Sequence, residues 1–176
     1  MIKIIILFGK RKVDGQERDG EIEKIPVEDD DTAHYFYMKE YLKDHQPLFY
    51  NLIYNEFSQN KIPHAFLLVG NNTEKPLIFL AMSLICDQTL ACMQCNDCRK
   101  VAQNKYGDII RLNGKDSSIK KRDIELIQNT FKKSSLEGKA KIYIIENIEY
   151  ATLEAMNTLL KMLEEPTEGI YALFTT

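Results

Sequence analysis

No stretch of this chain approaches the roughly twenty consecutive apolar residues that a membrane-spanning helix needs, so no transmembrane segment is expected. The start also reads as a poor secretory signal. The opening MIKIIILFGKRK is apolar for only a few residues, and its main basic cluster follows that run. A signal peptide has the opposite order, and the chain reads as cytoplasmic. There is no excess of positive charge. The formal net charge is -3 over 176 residues, so no global basic field advertises nucleic-acid binding. Local clusters at Arg99, Lys100 and Lys105, and at Lys120, Lys121 and Arg122, read as solvated surface charge. No internal repeat or low-complexity tract is present, which argues against a repeat array. Cysteine is absent everywhere except between Cys86 and Cys98, where all 4 of the chain's cysteines fall. In a cytosolic protein such clustering favours a metal over a disulfide framework.

What remains is an ordinary globular composition, 44% hydrophobic and 28% charged, long enough to bury a real core in one domain. Residues 1–37 differ from the rest. A β-type run, Ile2 to Phe8, leads into DGQERDGEIEKIPVEDDD, which is acidic and turn-rich. This stretch is read either as a hairpin around Asp14-Gly15 or Asp19-Gly20, or as a loosely ordered appendage. It is treated as an N-terminal extension, with the main domain at 38–176.

From Met38 the elements alternate. Residues 39–59 carry Tyr41, Leu42, Leu48, Phe49, Leu52, Ile53 and Phe57 at helical spacing, with Pro47 as a break or first-turn residue. Ala65 to Val69 reads as a buried strand. Residues 76–86 read as a helix with Pro76 in its first turn, and residues 95–104 as a shorter one. Asp108 to Leu112 is a second strand, and Ile119 to Lys133 an amphipathic helix with Ile124, Ile127 and Phe131 on one face. A third strand, KIYII, follows from Lys141. Thr152 is an N-cap for a helix running to about Glu165, where Pro166 stops it. Ile170 to Phe174 is a fourth strand. Strands alternating with helices predict an α/β fold, a mostly parallel sheet covered on both faces.

The stretch HAFLLVGNNTEKPL has the order of a nucleotide cradle: strand, glycine, loop, lysine, helix. A working phosphate loop reads G-x-x-x-x-G-K-[ST], where backbone amides and the lysine hold phosphates and the hydroxyl binds magnesium. Here Gly70 takes the first glycine position, but Lys75 stands in place of the second glycine, Pro76 in place of the lysine, and Leu77 in place of the hydroxyl. Glu74 would set a carboxylate against polyphosphate, and Pro76 removes an amide donor. The other half of such a site is an acidic pair ending the third strand. Glu146 holds the magnesium-side position, and Asn147, which cannot take a proton, holds the position of the base. Both halves are degenerate in the same direction.

The cysteines read Cys86-x5-Cys92-x2-Cys95-x2-Cys98. Four thiolates at such spacing satisfy a closed tetrahedral site with no position left for water, so the expected role is structural. Zinc is favoured over an iron–sulfur cluster, whose bacterial run places the fourth cysteine after the triplet and before a proline. Cys86 closes an apolar helix and also fits a plain core residue. Further on, Met156, Leu159, Leu160 and Leu163 read as the apolar face of a helix. The acidic end Glu164-Glu165-Pro166 opposes the helix dipole and is not explained by packing.

Together, the degenerate loop after HAFLLVG, the four-cysteine module and KIYIIENIEYATLEAMNTLLKMLEEP resemble the delta-prime and gamma/tau group of bacterial DNA polymerase III clamp-loader subunits, over about residues 40–176. The most specific element is Met156 to Pro166, with Asn157, Leu159, Leu160, Lys161, Glu164, Glu165 and Pro166 as its signature. The resemblance implies an AAA+ type (P-loop NTPase-like) domain carrying a small zinc module at 86–98, with Cys86, Cys92, Cys95 and Cys98 as ligands. It implies an N-terminal fragment, with lid and collar domains missing. Gamma/tau members keep an intact loop and hydrolyse ATP, whereas delta-prime members typically have lost it and act as a rigid stator. By Gly70 to Leu77 and by Glu146-Asn147 this sequence resembles the second kind. No catalytic residue and no ATP binding are then expected. The implied partners are the gamma/tau and delta subunits and, indirectly, the sliding clamp and primed DNA. Two other readings stay open. One is a divergent gamma/tau-like ATPase whose Lys75 reaches phosphate. The other is a zinc-stabilised adaptor of this shape outside replication.

Overall fold

The computed structural model describes residues 2–7 and 37–176. The turns expected at Asp14-Gly15 and Asp19-Gly20 lie outside the described residues. The elements run β1 (Ile2–Leu7), α1 (Met38–His45), α2 (Pro47–Ser58), β2 (Ala65–Gly70), α3 (Glu74–Ile85), α4 (Asn96–Ala102), β3 (Ile109–Asn113), α5 (Lys121–Phe131), β4 (Lys141–Glu146), α6 (Leu153–Glu164) and β5 (Ile170–Thr175). Pro47 divides the helical run 39–59 because it has no N–H for a continuing helix and fits the first position of a new one. It opens α2. Helix α3 begins at Glu74, ahead of the expected start, so Pro76 sits where an N–H would lack an intrahelical partner anyway. Thr152 caps α6 as expected, its hydroxyl accepting from the Ala155 N–H at 3.2 Å.

The strands form one 5-stranded sheet in the order β1-β2-β5-β4-β3, with every pairing parallel. The β-type run at the start of the chain is therefore an edge strand, with Ile2 opposite Ala65 and Leu7 opposite Gly70. Its alternation is visible in burial. Ile5 and Leu7 are buried, while Ile4 and Ile6 are 62% and 60% exposed.

Residues on the central strands alternate between two apolar layers. On one face Leu68, Ile142, Ile144 and Leu173 pack with Leu42 of α1, Phe49 and Ile53 of α2, Phe79 of α3 and Val101 of α4. On the other, Ala65, Tyr143, Ile145, Ala172 and Phe174 meet Ile124, Ile127 and Phe131 of α5 and Ala155 and Leu159 of α6. A strand buried on both faces must be apolar at every position, which is why these segments read as continuous apolar runs. The α/β architecture with helices on both faces is the one expected.

One expectation about the core needs correction. Leu160 was placed on the apolar face of α6, yet it is 48% exposed, while Leu159 is 2% exposed. Neighbours on a helix point about 100° apart. The buried stripe passes through Ala155 and Leu159 to the half-buried Met162 and Leu163, and Leu160 falls off it.

A buried carboxylate organises the chain before β4. Asp108, just ahead of β3, is 5% exposed. It accepts from the Ser135 hydroxyl at 2.6 Å, the Leu136 N–H at 3.0 Å and the Glu137 N–H at 2.7 Å. Burial alone would raise its pKa, but the three hydrogen bonds together outweigh it and hold the group below the ordinary 3.8. A depressed carboxylate stabilises the fold above its unfolded pKa, and that contribution is lost as pH falls through the folded value. Asp108→Asn turns one acceptor into a donor facing donors. It should cost about 1–3 kcal/mol at neutral pH in denaturant unfolding. The gap from the unmodified chain should shrink as pH falls below the ordinary carboxylate value. A gap independent of pH would contradict this account.

Candidate functional site

The loop after β2 is short. Gly70 ends the strand at φ +128°, and a side chain there would collide with the Leu7 carbonyl oxygen on the edge strand. Glycine is thus required here by the close approach of β1 and by a backbone conformation other residues avoid. Its N–H donates to the Thr176 carbonyl at 3.3 Å. Lys75 lies in the first turn of α3, with its ammonium 3.8 Å from the centre of the Tyr41 ring. That ring stacks on His45 with centroids 4.3 Å apart. The lysine is held back against α1 by a cation–π contact.

The Glu146-Asn147 pair is also engaged. Glu146 accepts from Arg111 Nε at 2.6 Å, with both side chains partly buried. Asn147 adopts the left-handed conformation at φ 52°, which asparagine tolerates better than most residues. Its N–H donates to the Thr175 hydroxyl at 3.1 Å, and its side-chain amide donates to Asn113 Oδ1 at 2.8 Å. Arg111, Asn113 and Tyr41 were not foreseen in these roles. The signal available was Arg111 itself, a charged residue inside the apolar run DIIRLN.

The cysteines converge. The sulfurs of Cys86, Cys92, Cys95 and Cys98 all lie within 4.8 Å of one another, with Cys92 Sγ and Cys98 Sγ 4.0 Å apart. Tetrahedral zinc with Zn–S bonds of about 2.3 Å needs sulfurs about 3.8 Å apart. The donor set therefore fits such an ion after a small contraction. Cys86 belongs to the cluster as the residue that ends α3, rather than standing apart in the core. The Cys95 N–H donates to Cys92 Sγ at 3.3 Å and the Cys98 N–H to Cys95 Sγ at 3.4 Å. Such amides stabilise thiolates. Burial pushes the Cys92 thiol up, but the Gln94 and Cys95 amides and the neighbouring sulfurs together bring it down to about 7. Burial raises Cys86 and Cys98. Buried Ser83 ties the module to α3, accepting from the Ala91 N–H at 3.0 Å while donating to the Phe79 carbonyl at 2.8 Å.

Comparison with known proteins decides the family. The profile described as "DNA polymerase III, delta subunit" matches residues 45–176. The chain belongs to this family of clamp-loader subunits. DNA polymerase III subunit delta' of Bacillus subtilis is 33% identical over 136 residues, covering 74% of this chain and 41% of the relative. DNA polymerase III subunit tau of Escherichia coli is 30% identical over 128 residues, covering 69% of this chain and 20% of the relative. A crystal structure of a DNA polymerase III gamma subunit-related protein from Thermotoga maritima aligns with 70% of this chain and 38% of its own, at 17% identity and a TM-score of 0.47. The chain thus spans less than half the length of these relatives. An adaptor role outside replication finds no support in these matches.

The residues expected as a family signature can now be placed. Leu159 is core. Asn157, Leu160, Lys161, Glu164, Glu165 and Pro166 are exposed. Lys161, Glu165 and Pro166 help to line an open cavity of about 410 Å³, together with His64, Phe131 and Tyr143. The cavity lies at the end of the sheet where the strands begin, opposite Gly70.

If the cysteines hold zinc, Cys95→Ser should lose stoichiometric metal. A structural site contributes folding energy directly. At about 2–4 °C per kcal/mol, the melting temperature should fall by at least about 5 °C. Metal analysis and a thermal melt check both. Retention of one zinc per chain with an unchanged melt would refute the assignment.

Proposed function

We propose that this chain is the AAA+ type nucleotide-binding-like domain of a delta-prime-type, non-catalytic clamp-loader subunit. It keeps the shape of a phosphate site without its chemistry. The observation that carries the reading is that both halves of the site are degenerate and internally engaged. Lys75 rests on Tyr41. Glu146, at the magnesium-side position, is paired with Arg111. Asn147, at the position of the general base, has its amide committed to Asn113. A nucleotide would have to break a cation–π contact and a partly buried ion pair, and would still meet Glu74 and find no hydroxyl at Leu77 for magnesium.

On this reading the domain acts as a stator in a ring with gamma/tau and delta subunits, in the cytoplasm. The assembled ring loads the sliding clamp onto primed DNA, and a structural zinc on Cys86, Cys92, Cys95 and Cys98 stiffens the domain. The match to the tau subunit favours a second reading, an ATP-hydrolysing gamma/tau-like subunit. One experiment separates the two. Calorimetric titration of ATP with magnesium into the zinc-replete chain should give no saturable heat, and Lys75→Ala should leave the trace unchanged. Saturable binding that Lys75→Ala weakens tenfold or more would put the ATPase reading first.

A further inference from the structure

Around the cysteine cluster the chain places an arrangement that the stator reading does not use. Lys139 lies in the loop before β4, far along the sequence from the cysteines. Its ammonium donates to Asp87 Oδ1 at 2.7 Å, to Asp97 Oδ2 at 2.8 Å and to the Ile85 carbonyl at 3.4 Å. An ammonium has three donors, so all are used. Ile85 and Asp87 flank Cys86, and Asp97 precedes Cys98. One side chain therefore straps together the two arms that bring Cys86 and Cys98 to the cluster.

We propose that Lys139 is a positioning residue for the metal centre, holding the Cys86 arm and the α4 arm at the spacing that one ion can bridge.

The electrostatics explain why a cation is needed there. Four thiolates around a dication carry a net charge of about -2. Asp87 and Asp97 add two further negative charges beside Cys86 and Cys98. Without a counter-charge these groups repel across the gap between the arms. Lys139 sits between the two carboxylates at 30% exposure, with Asp97 at 23% and Asp87 at 82%, so the charge balance acts most strongly on the Asp97 side, while the Ile85 carbonyl ties down the Cys86 arm. The hydrogen bonds it donates to Asp87 and then to Asp97 raise its pKa, so it stays charged.

The strap is itself anchored. Lys139 follows the turn that folds around buried Asp108. A second tie from the same turn, Lys100 to Glu137 at 2.6 Å, reaches α4 beyond Cys98. The cluster is thus braced by β3 and the loop into β4, as well as by its own short loops. A residue that orients metal ligands from outside typically affects metal affinity roughly 10–100-fold. Lys139 is placed to act in that range.

This inference rests on the metal reading of the cysteines, and the test separates the two. The full chain, Lys139→Met, Lys139→Arg and Asp97→Asn would each be loaded with zinc and titrated with a chromophoric chelator. Cobalt substitution would report the tetrahedral thiolate spectrum. In the unmodified chain, zinc should bind one per chain and cobalt should give strong thiolate charge-transfer bands. If it binds neither ion, the metal reading fails, and this inference with it. If it binds both, Lys139→Met should surrender zinc at least tenfold more readily, with weakened or shifted cobalt bands, and Lys139→Arg should recover most of the loss. Melts of the metal-stripped proteins should differ far less than the affinities do. Should Lys139→Met fail to fold, Asp97→Asn, which removes one anchor of the strap, carries the same expectation. Unchanged zinc affinity and cobalt spectrum in the foldable variants would overturn the role of Lys139 while leaving the metal centre standing.

Discussion

Helix α3 is apolar on nearly every side, and it can exist only buried. Pro76 through Ser83 and Ile85 are all buried. They pack between the sheet, the first two helices and the short helix of the cysteine module. A helix without a polar face has no place at a protein surface, so the layers around it are forced. Its start fixes the turn at Gly70, and its end fixes Cys86. The two places where the chain could do chemistry are thus the two ends of one buried helix. That explains how the outline of a nucleotide site persists when the residues of the site do not. Hydrophobic burial of α3 holds strand, loop and helix in position, and no bound phosphate is needed to keep them there.

The polar groups near that outline show the same logic. Buried polar atoms must find partners or destabilise the fold. At the end of the sheet where β3, β4 and β5 finish, Glu146 meets Arg111, and Asn147 meets Asn113 and Thr175. Near the loop, Lys75 meets an aromatic ring. In a ligand-binding site some of these groups would await phosphate or magnesium. Here their partners come from the chain itself. The Asp108 turn follows the same rule on a larger scale, because one buried carboxylate collects three donors from a single loop and so decides where Lys139 stands.

Much of the fold was legible because the signals that specify it are local. Strands buried on both faces are continuous apolar runs, Pro47 marks a helix boundary, and the Thr152 hydroxyl caps a helix by accepting from the N–H three residues ahead. The cysteine spacing announced a cluster, and the sulfurs do converge. What was illegible depends on contacts between distant segments. Nothing local in Ile2–Leu7 says that it pairs parallel to Ala65–Gly70, since the pairing depends on what β2 leaves uncovered. The Arg111–Glu146 pair and the Lys139 strap join residues tens of positions apart. Leu160 was misplaced for a different reason. Two adjacent leucines give periodicity no means of telling which one faces the core, and only the packed helix decides.

On the delta-prime-type reading, a phosphate loop without a ligand must be ordered by something else. In a working loop, polyphosphate neutralises the lysine and gathers the backbone amides at the helix start. Without it, an unpaired lysine and open amides would leave the loop to sample many conformations. In this chain the substitutes are specific. Tyr41 takes the ammonium, Thr176 takes the Gly70 amide, and Pro76 removes an amide that would otherwise lack a partner. The opposite end of α3 is closed by the cysteine cluster and strapped by Lys139. If no nucleotide binds at the loop, a helix held at both ends changes little between states, with no arriving ligand to favour one over another. On the proposed reading that is what a stator requires. On that reading Lys75, held on Tyr41, and Pro76, which takes an amide out of the helix start, would serve both the departure from nucleotide chemistry and the rigidity of the loop.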